Sequence, residues 1–204
     1  MTQGKPRYIL FYKPYGVLSQ FTDRAGRTTL SDFGPFPRDV YPVGRLDAES
    51  EGLLLLTNDN TAKHHLLEPR FEHPRTYLVQ VERIPSSESL ERLRTGVMIE
   101  GKRTKPAKVA MLESDPPLSP RPVPIRYRKS VPTAWLEMTL REGRNRQVRK
   151  MTASVGHPPL RLVRIAIGPL TIEGLEPGNS RELRPVEVKT LLELIREPRR
   201  LAKS

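Results

Sequence analysis

Apolar and polar positions alternate over Thr76–Glu82, where Tyr77, Val79 and Val81 interleave with Leu78, Gln80 and Glu82. Side chains two residues apart share one face of a strand, so this stretch predicts a half-buried strand. Tyr8–Tyr12 predicts another, closed by the turn signal Lys13-Pro14-Tyr15-Gly16. Leu53–Leu56 is apolar at every position and predicts a buried strand. Asn58-Asp59-Asn60 offers helix N-caps for a short helix over Thr61–Glu68, stopped by Pro69. Ser86–Thr95 predicts a second helix, with serines ahead of it and Gly96 behind it. Val97–Ile99, Lys105–Glu113 and Ala134–Arg141 follow as strands. Glu142-Gly143-Arg144 turns into a helix over Asn145–Val155, whose Val148, Met151, Thr152 and Val155 recur at helical spacing and face inward. Leu160–Ile172 gives one or two strands broken at Gly168-Pro169, and Pro185 opens a last helix that points Val188, Leu191, Leu192 and Ile195 inward. Many non-sequential strands with a few short helices predict an α+β fold.

Two stretches escape this pattern. Residues 19–39 read as loop. Residues 114–132, SDPPLSPRPVPIRYRKSVP, carry six prolines, which exclude a regular central strand or helix. They also carry Arg121, Arg126, Arg128 and Lys129 with no acid after Asp115. The reading is a long basic loop, either a solvated connector or a functional arm. Residues 198–204 form a basic tail.

The charge balance narrows the partners. Lys and Arg number 35 against 23 Asp and Glu, a net charge of +12. That excess points to a polyanion, because cationic groups that meet phosphates release condensed counterions. No run of about 18 apolar residues is present, so no spanning helix is expected. The N-terminal residues lack the pattern of a secretory signal, and there is no cysteine. A cytoplasmic, monomeric protein is expected. His64, His65, His73 and His157 show no ligand spacing, so a catalytic zinc site is not expected. Gly96-Val-Met-Ile-Glu-Gly101-Lys102-Arg103 nearly matches a phosphate-binding loop, but it ends in Arg where a Mg²⁺-binding hydroxyl belongs, and it runs from a helix end into a strand.

Three places bear candidate chemistry. GRLDAESEGLLLLTND, Gly44–Asp59, places Asp47, Glu49 and Glu51 just ahead of the leucine run. In an extended segment Arg45 lies on the same side as Asp47, and a guanidinium beside a carboxylate keeps it ionised, which suits a nucleophile or general base. Alone, the stretch reads rather as a turn aspartate in a surface ion pair. EGRNRQVRKM, Glu142–Met151, places Arg144, Arg146, Arg149 and Lys150 at the start of a helix, against the helix dipole. Phosphates or a carboxylate would account for that placement; a solvated basic face is the alternative. Tyr77 is either core or a platform under a flipped base.

Together these segments resemble the RsuA/RluB/RluE-type bacterial rRNA pseudouridine synthases. The resemblance rests on GRLDAESEGLLLLTND, Lys13-Pro14-Tyr15-Gly16, RTYLVQV and EGRNRQVRKMTASVGHPPLRLVRIAIG, in order from about Tyr8 to about Gly178. Within the family, FYKPYGVLSQFTD and PIRYRKSVPTAWLEMTL are most similar to a branch acting on 23S rRNA. Many members carry an N-terminal S4-like RNA-binding module, for which these 204 residues leave no room, so a single catalytic domain over 1–204 is expected. The resemblance implies a mixed, largely antiparallel sheet in two subdomains flanking a central RNA-binding cleft. It implies an isomerase that cleaves the uridine C1′–N1 bond, rotates the base and rejoins it through C5, with no cofactor. Asp47 corresponds to the essential aspartate, Tyr77 to the stacking tyrosine proposed to take the C5 proton, and Arg149 to the arginine that pairs with the aspartate. Arg45, Lys13, Arg126, Arg128, Lys129, Arg144, Arg146 and Lys150 are the candidate contacts to RNA, with large-subunit rRNA as partner. A non-catalytic rRNA-binding protein on the same scaffold is the competing class; the joint presence of Asp47, Tyr77 and Arg149 favours the enzyme.

Overall fold

A computed structural model describes residues 5–125 and 130–196. Arg126, Arg128 and Lys129, and the basic tail at 198–204, lie outside the described residues. In chain order the strands are β1 (Tyr8–Lys13), β2 (Tyr41–Pro42), β3 (Glu51–Thr57), β4 (Arg75–Glu82), β5 (Met98–Ile99), β6 (Lys102–Arg103), β7 (Lys108–Met111), β8 (Thr133–Leu140), β9 (Pro159–Ile167), β10 (Leu170–Thr171) and β11 (Ser180–Glu182). The α-helices are α1 (Asn60–Leu67), α2 (Ser87–Thr95), α3 (Gln147–Ser154) and α4 (Pro185–Arg196). The fold is α+β: one mixed, mostly antiparallel sheet of nine strands in the order β11-β1-β3-β9-β4-β8-β7, with β2 and β10 appended to β3 and β9, and the hairpin β5–β6 apart.

The leucine run becomes β3, buried at every position from Glu51 to Thr57. Period-two alternation explains why all of it is apolar. Leu53 and Leu55 face a core beneath α1 and α4, with Val163, Leu191 and Ile195, while Leu54 and Leu56 face a second core with Phe11, Val17 and Leu30. Phe11 is ringed there by Phe33 and Phe36, each with its centroid 5.6 Å away. Residues 19–39, read as loop, supply this second core and contain a one-turn 3₁₀ helix, Leu30–Phe33. A third core lies under α2 and α3, where Val79, Val81, Leu136 and Met138 meet Leu93, Val148 and Met151.

The two halves therefore share one sheet. They join where β3 runs parallel to β9, with Glu51 opposite Val163 and Gly52 opposite Arg164. Gly52 has φ +108°, and a Cβ there would stand 2.3 Å from the Arg164 carbonyl oxygen, so only glycine lets the strands close. The expected strand over Lys105–Glu113 shortens to Lys108–Met111. Lys105 N–H is taken by Glu142, Pro106 has no N–H, and Ala107 N–H is taken by Arg94 O. Likewise α3 starts at Gln147 rather than Asn145, because Arg146 adopts the left-handed conformation, φ +52°.

Candidate active site

Asp47 lies in the loop between β2 and β3, over the point where the halves join. The loop is fixed by its backbone. Gly16 N–H donates to Ala48 O at 2.8 Å. Ser19 Oγ both donates to Leu46 O (2.8 Å) and accepts from Leu46 N–H (3.0 Å). From α3, Arg149 Nη2 donates to Glu49 O at 2.9 Å. Each bond draws on the Lys13–Gly16 turn, the 19–39 loop or α3, so three distant segments must be in place before Asp47 is. The second turn residue of GRLDAESEG closes locally, with Ser50 N–H donating to Asp47 O at 3.0 Å.

The Asp47 side chain borders a cavity of about 570 Å³, together with Arg45, Tyr77, Leu140, Arg144, Arg146 and Leu162. That volume lies in the range of small-ligand sites. Tyr77 also borders an adjoining cavity of about 210 Å³ with Arg75, Arg164 and Gly143. Of the residues singled out in the sequence, Asp47, Tyr77, Arg45, Arg144 and Arg146 thus converge on one cleft. Among the described residues no cluster of three or more His, Asp or Glu side chains is placed to hold a metal ion.

Arg146 makes the ion pair with Asp47, and Arg149 lies near enough to feel the Asp47 charge without pairing with it. Arg146 Nη1 meets Asp47 Oδ2 at 3.3 Å, and its Nη2 meets Glu49 Oε2 at 2.9 Å. Arg45 is exposed at the cleft edge. Arg149 acts one step away, on the Glu49 carbonyl and on Ser50 Oγ at 3.4 Å. The Arg146 hydrogen bond draws the Glu49 carboxyl below its usual range, while Glu49 raises the Arg146 guanidinium. Burial acts the other way on Arg149 and lowers it.

Other expected RNA contacts have internal partners. Lys13 is fully buried and does not line the cleft. Its Nζ donates to the carbonyls of Pro14 (2.9 Å), Val17 (2.7 Å) and Ala48 (3.3 Å), so it ties the first turn to the Asp47 loop. Arg144 is engaged by Glu142 at 3.1 Å and by the carbonyls of Lys102 and Arg103. Lys150 pairs with Glu100 at 2.6 Å.

The profile of the RNA pseudouridylate synthase family matches residues 7–154. The chain belongs to the RNA pseudouridine synthase family. It is 55% identical over 171 residues to the ribosomal large subunit pseudouridine synthase E of Xanthomonas axonopodis pv. citri, covering 83% of this chain and 90% of that protein. The protein of the same name from Vibrio vulnificus is 50% identical over 183 residues, 90% of this chain and 77% of that one. The crystal structure of a pseudouridylate synthase, 27% identical, superposes with a TM-score of 0.77 over 93% of this chain and 75% of that one.

In this pseudouridine synthase Arg161 and Arg164 have no counterpart in the sequence analysis. Glu51, which stands with Asp47 and Glu49 in the motif, is buried in a two-pronged pair with Arg161, Oε1 to Nε 2.9 Å and Oε2 to Nη2 2.8 Å. Arg161 Nη2 also donates to Ser119 O at 3.0 Å, so the proline-rich segment is docked at that point. Arg121 of the same segment lies over the Tyr15 ring, 4.1 Å from its centroid. Arg164 is buried beside Tyr77. A signal for both arginines was present: Leu160–Ile165 reads LRLVRI, and charges inside an apolar strand demand buried partners.

Proposed function

We propose that this enzyme isomerises a specific uridine of 23S ribosomal RNA to pseudouridine, with Asp47 as the group that opens the reaction. The reading is supported by one juxtaposition: Asp47 and Tyr77, 30 positions apart, border the same cavity beneath a rim of arginines. The large-subunit substrate follows the names of the relatives in Xanthomonas and Vibrio.

The uridine leaves its stack, at a cost of a few kcal/mol, and enters the cavity. Stacking on Tyr77 returns about 1–3 kcal/mol. The Asp47 carboxylate starts cleavage of C1′–N1, by attack on C1′ or by removing the C2′ proton. The detached base turns so that C5 faces C1′, and Tyr77 takes the C5 proton after the new bond forms. Arg146 holds Asp47 in place, and Arg45 meets the flipped nucleotide or its phosphate. Glu142, the other carboxylate of the cleft wall, is committed to Arg144, Gln147 and the Lys105 N–H, which argues against a two-carboxylate hydrolase.

Asp47→Asn keeps the side-chain volume and removes the charge. It is expected to abolish pseudouridine formation in a carbodiimide primer-extension assay while RNA affinity stays near that of the wild type. Activity near the wild-type rate would remove Asp47 from the mechanism. Mapping pseudouridines in rRNA from a deletion strain, with and without the gene restored, identifies the nucleotide; an unchanged 23S pattern would refute the substrate assignment.

A further inference from the structure

Arg164 is an arginine in the wrong place for structure alone. It stands on β9, the strand at the junction of the two halves, and is 4% exposed. Its Nε donates to Leu53 O at 2.8 Å, but Nη2 is buried with no hydrogen-bond partner. No carboxylate pairs with it among the described residues, in contrast to Arg161 three positions earlier, which has Glu51. A buried cation without a counter-ion costs several kcal/mol. A fold that keeps one has a use for it, or meets its charge during the reaction.

What Arg164 faces is Tyr77. The two are directly opposed in the antiparallel β4–β9 ladder, beside a register shift between Thr76 and Tyr77. Directly paired residues project from the same face of a sheet. Both border the same 210 Å³ cavity, and Tyr77 alone of the pair also borders the cavity of Asp47. Burial lowers the Arg164 guanidinium, and Tyr77 is the neighbour that most offsets this. The backbone of Arg164 is in turn clamped to β3 through Gly52, one turn of sequence from the Asp47 loop. Arg164 thus relates the position of Tyr77 to that of Asp47.

We propose that Arg164 is a positioning residue for the proton-transfer step, orienting the Tyr77 hydroxyl and stabilising its phenolate. This rests on the reading of Tyr77 as the acceptor of the C5 proton. In that step the C5–H bond breaks and its electron pair becomes the C5=C6 double bond. The N1=C6 pair moves to N1, which receives through water the proton that the Tyr77 hydroxyl gives up, and the C5 proton goes to the resulting phenolate oxygen and restores the hydroxyl. One proton leaves the base and one joins it, with no oxidant or reductant. A fixed cation beside the oxygen favours the phenolate that accepts the proton, as preorganised charge does at other sites of developing charge.

The test is a double-mutant cycle of Arg164→Met and Tyr77→Phe in single-turnover reactions, using RNA carrying protium or deuterium at the target C5. Arg164→Met is expected to slow product formation about a hundredfold, the scale of a proton-transfer contribution. The C5 isotope effect should rise above that of the wild type, because the step becomes limiting. In the Tyr77→Phe background the same substitution should cost little more. Arg164→Lys keeps the cation and should recover part of the rate; it carries the isotope measurement if Arg164→Met fails to fold in a thermal melt. An isotope effect equal to the wild type's in the folded Arg164 variant, or losses that multiply with that of Tyr77→Phe, overturns the proposal. If Tyr77→Phe itself reacts at the wild-type rate, the role of Tyr77 falls first, a result distinct from an impaired Tyr77→Phe with an indifferent Arg164.

Discussion

Replacing Lys13 with Met measures how the Asp47 loop is held. Burial lowers the Lys13 ammonium from 10.5 to about 7, with Glu51 and Asp47 opposing the shift and Arg164 adding to it. In the unfolded chain the amine keeps its ordinary value. Below about pH 7 both states hold the proton, and the folded state bears the full burial cost. Between about pH 7 and 10 the unfolded chain holds a proton that the folded chain has released, so stability rises with pH at about 1.4 kcal/mol per unit. From about pH 6 to about pH 9 the wild type should therefore gain about 2.5 kcal/mol relative to Lys13→Met. The constant part of the substitution, the carbonyls of Pro14, Val17 and Ala48 left without their donor, cancels in that comparison. Urea unfolding of both proteins at several pH values reads it directly. Equal pH slopes for the two proteins would refute a titrating buried amine. The same substitution frees Ala48 O, next to Asp47, and should slow catalysis even at a pH where the fold is intact.

Three further outcomes follow from the junction of β3 with β9 and from the cleft. Glu51→Gln strands Arg161 in the core and should cost about 3–5 kcal/mol in urea unfolding, while joint replacement of both by Met should cost less than either alone; a loss under about 1 kcal/mol would mean that the pair is hydrated. Gly52→Ala forces a Cβ to within 2.3 Å of Arg164 O at φ +108° and should destabilise by about 3–5 kcal/mol, with a melting temperature near the wild type's as the contrary result. Arg146→Ala should leave the fold intact and reduce the slope of log affinity for RNA against log salt by about one if the guanidinium meets a phosphate. An unchanged slope would confine Arg146 to holding Asp47 and Glu49.

Several elements could be read without a structure because their causes are local. Ser86 caps α2, and Asp59 caps α1 by accepting from Ala62 N–H at 3.0 Å. The stripe Val148, Met151, Thr152 and Val155 is buried as its spacing required. Boundaries failed where a distant group claimed the backbone, as Glu142 does at Lys105. The chemistry divides in the same way. A motif marks Asp47, Tyr77 and the arginines of 144–149, but does not say which arginine reaches the carboxylate. The left-handed turn at Arg146 aims that side chain at Asp47 and leaves Arg149 on the Glu49 carbonyl. Lys13 illustrates the limit: its motif was visible and its burial was not, because burial is a property of the loops packed over it.

The sequence by itself thus determined the family, the four helices, the long strands and the candidate aspartate, since these follow from short-range pattern and from motifs that chance does not assemble. The tertiary structure alone decided which charges are paired. Glu51 meets Arg161 across 110 residues, Asp47 meets Arg146 across 99, and Arg164 reaches Leu53 across 111. Charge pairing depends on distances of a few ångströms between strands and loops far apart in the chain, and those distances exist only once β3 has closed on β9 and the second half has folded over the Asp47 loop.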